Sequence, residues 1–445
     1  MGPTVGSAAA LLQQFRKEAL KPGRDPKLSV VRAGLEISNT LQKRFSFEPK
    51  EPFSSTARQT EGLRDVLSLL IDLCSLCKRP QPALCLWRSL SRPKQLLNEM
   101  GFSGLTRACS IAGDVVVARQ LLELAESTSP SFGVPNVLDC NQLLSTFALI
   151  SEKNKTSQGA VDEAQRVLGV MLRFSIAPTI ITDTILITLY CKHGNLRAAR
   201  HYFDSRVECA TGPVALWDAM LAGYARHGNS ADVLDLYELM GAKHVRPDCI
   251  TFVSLLQVCG HMKDLDRGKE EYFEICKRGI EIKGALSISL VEMYCKCGSM
   301  VDAQSTFDEI LLGPERSSVA LRGAMMSGYL HNNFPGKALC VFDAMKKEGI
   351  RPNNVIFITA LNACAKLGDI VRGMTIHHEI LKQRNLHHCN DVVLNTALLD
   401  MYCKCGRITE AKEIFDGMCN RDMVAWSAMM AGYLQNNSGS NINPL

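Results

Sequence analysis

The sequence predicts an all-α fold: a right-handed superhelical solenoid of helix-turn-helix repeats of about 35 residues. Three observations predict it. The hexapeptide MYCKCG occurs twice, at 293–298 and at 401–406. Tyr190, Tyr224, Tyr294, Tyr329, Tyr402 and Tyr433 recur along the chain, and Cys259 and Cys364 stand at equivalent places in the two wide gaps between them. Between these markers runs one apolar register. Ala411, Ile414, Phe415 and Met418 lie at i, i+3, i+4 and i+7, which is one face of a helix.

A hairpin of about 35 residues cannot bury its apolar faces alone, whereas stacking against neighbours buries them in a continuous core. Aligning the chain on the hexapeptide sets units at 64–98, 99–136, 137–179, 180–213, 214–248, 249–283, 284–318, 319–353, 354–391 and 392–422, with a fragment from 423. Each unit reads as a first helix, a glycine turn and a second helix. The second-helix register returns in Ala338/Val341/Phe342/Met345, Val233/Leu236/Tyr237/Met240 and Ala164/Val167/Leu168/Met171. It persists in Ala118/Leu121/Leu122/Ala125 and Ala83/Leu86/Trp87/Leu90. These aromatics and methionines read as core. The extra length of 137–179, EKNKTSQG at 152–159, reads as a loop between its two helices. The fragment holds a first helix, MVAWSAMMAGY, and residues 434–445 are expected to form a disordered tail.

The composition agrees with a repetitive chain. Its 445 residues are 46% hydrophobic, too many for one ordinary compact domain. The net charge of +5 permits an acidic partner without requiring one. The 18 cysteines fall inside helical patterns rather than loops, so they read as reduced core residues and not as a disulfide framework. No apolar run approaches the ~18 residues that span a bilayer, and SLLIDLCSLC at 68–77 carries Asp72. Residues 1–63 differ from the rest, with a small-residue start and scattered bases. They read either as an organelle transit peptide or as a disordered leader.

The two cysteines of MYCKCG suggest a metal site, and helix geometry argues against it. Cys403 and Cys405 are two residues apart, about 200° around the axis, and cannot both reach one tetrahedral ion. The first cysteine of each pair is expected to face the core, and the glycine to close the helix. The cluster His377, His378, His387, His388 and Cys389 reads as a solvated polar turn. Asp264 and Asp266 flank a helix start, where the dipole favours acids. There is no Gly-rich phosphate loop, no serine elbow and no HExxH, so no enzyme, cofactor or metal is expected.

The unit endings HVRPD (244–248) and GIRPN (349–353) and the openings VALWDAMLAGYARHG (214–228) and VVLNTALLDMYCKCG (392–406) resemble pentatricopeptide repeats. The resemblance covers roughly 64–433. Unit types also alternate, as in the triplet-patterned subclass found in organelle RNA-editing factors. Units 214–248 and 319–353 resemble its standard type. Units 249–283 and 354–391 resemble its long type, with Gly268 and Gly373 replacing the second-helix alanine. Units 180–213, 284–318 and 392–422 resemble its short type. No deaminase motif of the kind such factors often carry at the C-terminus is present. The resemblance implies a protein of mitochondria or plastids that binds single-stranded RNA, about one base per repeat. It implies a role in transcript processing, stabilisation or C-to-U editing-site recognition, with processing or editing proteins as possible partners and no membrane. A protein-interaction scaffold on the same surface is the alternative.

In the family, base choice rests on the fifth and last residues of each unit. This carries over to Thr396 with Asp422, resembling a guanine reader, and to Ser103 with Asn136 and Ser68 with Asn98, resembling adenine readers. Gly323/Asn353 has lost one hydrogen-bonding side chain, and Asp218/Asp248 places two acids beside a polyanion. Asn141/Thr179, Thr184/Pro213 and Ile288/Ser318 match no standard pairing. Independently of the family, the thirteenth residue of seven successive units is basic or histidine: Lys192, Arg226, His261, Lys296, His331, Lys366 and Lys404. One cation per stacked unit suits a phosphate backbone. A cation at the end of the first helix also complements the helix dipole, and the sequence leaves both readings open.

Overall fold

The computed structural model describes residues 65, 67–72, 74–76, 80–89, 98–127, 135–149, 157–207, 213–383 and 391–439. The described residues are helical or connect helices, and they contain no strand. They fall into two compact bodies, one ending at His227 and one beginning at Gly228.

The first body starts with helical residues among 65–76 and continues as α1 (Pro80–Ser89), α2 (Glu99–Ala112), α3 (Val115–Ser127) and α4 (Val137–Ala148). It ends with α5 (Ser157–Arg173), α6 (Ile180–Lys192), α7 (Leu196–Val207) and α8 (Val214–Arg226). The second body begins with α9 (Ser230–Ala242), α10 (Cys249–Met262), α11 (Leu265–Lys277) and α12 (Ala285–Lys296). It continues through α13 (Met300–Leu311), α14 (Val319–His331), α15 (Pro335–Lys347) and α16 (Asn354–Leu367). The last four helices are α17 (Ile370–Gln383), α18 (Val392–Lys404), α19 (Ile408–Gly417) and α20 (Met423–Gly439).

Within each body the first helices of successive units pack side by side. In the first body the row runs α2, α4, α6, α8; in the second it runs α10, α12, α14, α16, α18, α20. Within each body second helices pack against their own first helix and against the first helix of the next unit, as α13 does with α12 and α14. The register predicted for the second helices is the reason. Ala164, Val167 and Met171 are buried, as are Val233, Leu236 and Met240, then Ala338, Phe342 and Met345, and finally Ala411, Phe415 and Met418.

Helix starts follow from the residue that closes each predicted unit. Asn136 and Asp139 form a reciprocal capping box, Thr179 and Thr182 another, and Asp248 and Thr251 a third. Asn98, Ser318, Asn353, Asp391 and Asp422 each accept a hydrogen bond from a backbone N–H of the helix they precede. Helix ends follow from glycine. Gly298 and Gly406 sit at φ +80° and +77°, and the next N–H folds back, Ser299 onto Tyr294 O at 3.0 Å and Arg407 onto Tyr402 O at 2.9 Å.

The hexapeptide returns because it fills notches on both sides. Cys191, Cys295 and Cys403, all buried, each seat their sulfur where the next first helix has a glycine: Gly223, Gly328 and Gly432. A Cβ at Gly328 would overlap the Cys295 sulfur and stand 2.8 Å from its Cβ. On the other side, Met293 and Met401 seat their sulfurs at Gly268 and Gly373, in the second helices of the preceding units. Burial pushes the Cys295 thiol up to about 12 and the Cys191 and Cys403 thiols up to about 11, so these cysteines stay protonated and inert.

Three expectations change or fall outside the described residues. Helix α20 continues to Gly439, so residues 434–439, assigned to a tail, are helical, and 440–445 lie outside the described residues. Ser157 to Gly159 open α5 rather than close a loop, while 150–156 are not described. The leader 1–63 and His387, His388 and Cys389 also lie outside the described residues. Another feature has no sequence precedent. Arg322 stands where other first helices place Trp217, Phe252 and Phe357, fully buried and bonded to Glu348 Oε2 at 2.7 Å.

Filling a notch should be costly. Gly328→Ala is expected to lower unfolding stability by about 1–3 kcal/mol, and by less in a Cys295→Ala background. Gly169→Ala, in open space on α5, should stabilise by about 0.5–1 kcal/mol. Denaturant titration of these variants against the parent chain measures both effects.

Candidate nucleic-acid interface

The helix caps determine what the unit-closing residues can offer. In Asn136 and Asn353 the amide oxygen is held by a backbone N–H, at 2.9 and 3.0 Å, so the amide nitrogen is the group left outward. In Asp422 one carboxylate oxygen accepts from Ala425 N at 2.8 Å, leaving the second oxygen as an acceptor. Capping therefore converts Asn into a donor and Asp into an acceptor in the units that these residues close. Asn136 directs its amide nitrogen to the hydroxyl of Ser103, 3.4 Å away, so this pair of a fifth and a last residue does meet. Thr396 donates its hydroxyl proton to Val392 O at 2.7 Å and keeps its lone pairs as acceptors. Thr184 does the same with Ile180 O.

Other fifth residues are placed differently. Asn141 is buried and accepts from the Thr182 hydroxyl at 2.7 Å. Asp218 and Ser68 are also buried, and the Ser68 hydroxyl accepts from the Asn98 backbone N–H. These three sit below the surface that Ser103, Thr184 and Thr396 reach, and Asn141 and Ser68 are drawn into contacts between units. Gly323 presents no side chain, and a Cβ there would lie 3.3 Å from Ile356 Cδ1. Asp248 Oδ1 accepts from both Ile250 N and Thr251 N in its capping box, which leaves Oδ2 as an acceptor, as in Asp422.

Sequence reading missed a row beside these caps. The second residue of many first helices is a large, exposed aliphatic: Leu138 and Ile181 in the first body, and Ile250, Val355, Val393 and Val424 in the second. Each follows the cap by two residues, so an apolar side chain and a polar one stand together at every such unit edge. The signal was present in the sequence as a β-branched or leucine residue at unit position two. It was lost because apolar residues at a helix start read as core.

The cation row is placed at the ends of the first helices, as its register implies. Its members are engaged differently. Lys192 donates to Ala148 O at 2.6 Å and Lys366 to Leu330 O at 2.9 Å, each the end of the preceding first helix. Lys404 pairs with Asp400 at 2.7 Å on its own helix. The Lys296 stem lies over Gly260, while Arg226, His261 and His331 are exposed. Partial desolvation of its ring, with the Lys296 charge nearby, lowers His261 from the usual histidine value although the residue is exposed overall. The neighbouring fourteenth residue also caps the preceding helix. His227 bonds Cys191 O at 2.6 Å, and Asn332 donates to Cys295 O at 2.9 Å. Carbonyls orphaned at one helix end are thus met by the next unit's side chains.

No group of three or more candidate metal ligands occurs among the described residues. His377 meets the Tyr402 hydroxyl at 2.9 Å, and His378 is exposed. Asp264 caps α11 through Arg267 N. No described helix is long and apolar enough to cross a membrane.

The two roles of the cations can be separated. Lys192→Met and Lys366→Met should each lower stability by about 0.5–1.5 kcal/mol through the lost carbonyl bond, whereas Arg226→Met should leave it unchanged. Thermal unfolding of the three variants is the measurement.

The family described as the pentatricopeptide repeat domain matches residues 214–262, and the PPR repeat matches 184–205, 288–312, 323–350 and 396–423. Those four repeat matches begin at the fifth residue of the structural units. Among curated proteins, the chain is 33% identical over 269 residues to a pentatricopeptide repeat-containing protein of Arabidopsis thaliana, covering 60% of this chain and 31% of that one. It is 31% identical over 281 residues to a chloroplastic member of that species, covering 63% and 44%. A mitochondrial member is 31% identical over 278 residues, covering 62% and 39%. The chain therefore spans less than half the length of these relatives. Among solved structures, the pentatricopeptide repeat protein PPR10 in complex with an 18-nt psaJ RNA element superposes with a TM-score of 0.63 at 19% identity, over 100% of this chain and 65% of that one. PPR10 from maize gives 0.56 at 18% identity, over 98% and 66%. Over the matched residues, this chain of helical hairpins carries pentatricopeptide repeats.

Proposed function

We propose that the first-helix edge binds single-stranded RNA, with one base at each junction between units. The observation that carries this is the recurring trio at the edge: a cap side chain of defined polarity, an exposed aliphatic two residues later, and a cation at the far end of the same helix. Each part answers one need of a base in a flexible strand. The aliphatics offer apolar faces against which a planar base packs, a contact of about 1–3 kcal/mol for aromatic platforms and less for aliphatic ones. The cap reads an edge: an outward Asn nitrogen donates, and an outward Asp oxygen accepts from a guanine N–H. The cations meet phosphates and supply affinity without sequence choice.

Thr396 with Asp422 is the pair best placed to read guanine, and Ser103 with Asn136 adenine. The buried Asn141 and Asp218 give weaker reading at their junctions, which leaves affinity to the apolar row and the cations. PPR10, whose fold this chain shares, was solved in complex with RNA, and relatives are named chloroplastic or mitochondrial. Both facts support an organellar RNA ligand for this chain. The alternation of glycine notches with Met and Cys knobs supports the triplet-patterned subclass. The chain binds rather than catalyses, and processing, stabilisation or editing-site recognition falls to proteins recruited to the bound transcript.

Gel-shift titration against pooled single-stranded RNA tests the reading. Binding should weaken with salt, and Lys296→Ala and Lys404→Ala should each reduce the log–log salt slope by about 0.7. Val355→Ala and Val393→Ala should weaken binding without changing that slope. Asp422→Asn should move the preference at one position from guanine toward adenine. No binding at low salt overturns the proposal and leaves a protein-interaction scaffold.

A further inference from the structure

Two seams between second helices are built from corresponding residues and end up different. Across the seam of α15 and α17, Arg372 pairs with Asp343 at 3.1 Å and Lys346 with Glu379 at 2.6 Å. The seam of α9 and α11 carries Glu238, Gly241, Arg267 and Glu274 at the places of Asp343, Lys346, Arg372 and Glu379. Gly241 brings no side chain where Lys346 stands. Glu274 turns instead to Arg278 at 2.7 Å and to Lys277 at 3.5 Å, both at the end of its own helix. No ion pair joins α9 to α11 among the described residues.

The unbridged seam holds a cavity of about 620 Å³, within the ~300–1,000 Å³ range of small-molecule sites. Arg246, Arg267 and Arg278 line it with a single acid, Glu238. Arg246 and Arg267 have no ion-pair partner among the described residues, and Arg267 is half-buried. Tyr237, Val245 and Pro247 supply an aromatic and aliphatic wall. Burial, with the Glu271 charge, pushes the Tyr237 hydroxyl up to about 12, so it stays protonated and able to donate.

We propose that this cavity binds a small phosphate monoester, with the arginines on the phosphate and the Tyr237 wall against the organic body. Guanidinium forks match phosphate oxygens two at a time. A phosphate monoester offers three terminal oxygens and close to two charges, enough for several forks, whereas a carboxylate offers two oxygens and one charge. The cavity is larger than the anion needs, and its apolar wall gives the remainder of the ligand a place. The site shares no residue with the first-helix edge and does not rest on the RNA reading. The counterpart seam shows what closes it: a lysine at the place of Gly241 and an arginine paired across the seam.

Calorimetric titration of the full chain with AMP and with adenosine tests the site. AMP should bind saturably and adenosine should not. Arg267→Met should weaken AMP by about tenfold or more. A Cβ at Gly241 meets no atom, so Gly241→Lys has room to restore the bridge to Glu274. This variant should abolish AMP binding with an unchanged circular dichroism spectrum and unchanged RNA affinity. No AMP binding up to millimolar concentration overturns the proposal, as does adenosine binding as tightly as AMP. AMP binding that survives Gly241→Lys places the nucleotide elsewhere and overturns it too. RNA affinity that falls with Arg267→Met, in a chain that does not bind AMP, overturns it by giving these arginines to the strand.

Discussion

At three junctions a first helix sits against the next with a cysteine sulfur seated where the neighbour has no Cβ: Cys191 on Gly223, Cys295 on Gly328 and Cys403 on Gly432. Cys295 on Gly328 and Met293 on Gly268 are the two sides of one unit. The contacts are directional: units 284–318 and 392–422 carry knobs on both sides, and their neighbours carry the notches. Such pairing fixes which units stand side by side there, since an alanine in the notch or a larger knob would force helices apart in a close-packed interior. A hairpin that cannot bury its own faces thus acquires both stability and register from its neighbours.

The same close approach explains how polar groups at the edge are arranged. With the helices in contact, carbonyls at the end of one first helix lie within reach of the next unit's thirteenth and fourteenth side chains. Lys192, His227, Asn332 and Lys366 meet them. At the opposite end the caps orient Asn and Asp so that one atom serves the helix and the other faces outward. Under the proposed RNA reading, base polarity would be a by-product of helix capping, because the fold already holds the outward atom rigid.

The cation row therefore serves two purposes unequally. Where a lysine is bound to a carbonyl or to Asp400, its charge remains but its position is dictated by the protein. Where Arg226 or His331 is exposed, the charge is free to follow a ligand. Of the two readings that the sequence left open, helix-end complement is seen at Lys192 and Lys366, and a phosphate partner for the exposed members belongs to the proposal.

Repeat length, helix order and the inward second-helix faces were legible from sequence, because Ala/Ile/Phe/Met spacing and glycine turns are local and recur. The inertness of MYCKCG was legible too, from the angle between Cys403 and Cys405 on one helix. Tertiary structure alone decided which fifth residues reach the surface. Asn141 and Asp218 are buried and Thr396 is not, a difference made by neighbours distant in the chain. It alone turned apolar residues at position two, such as Val355 and Val393, from apparent core into exposed edge. Periodicity reports which face of a helix is apolar; only packing determines whether anything covers it.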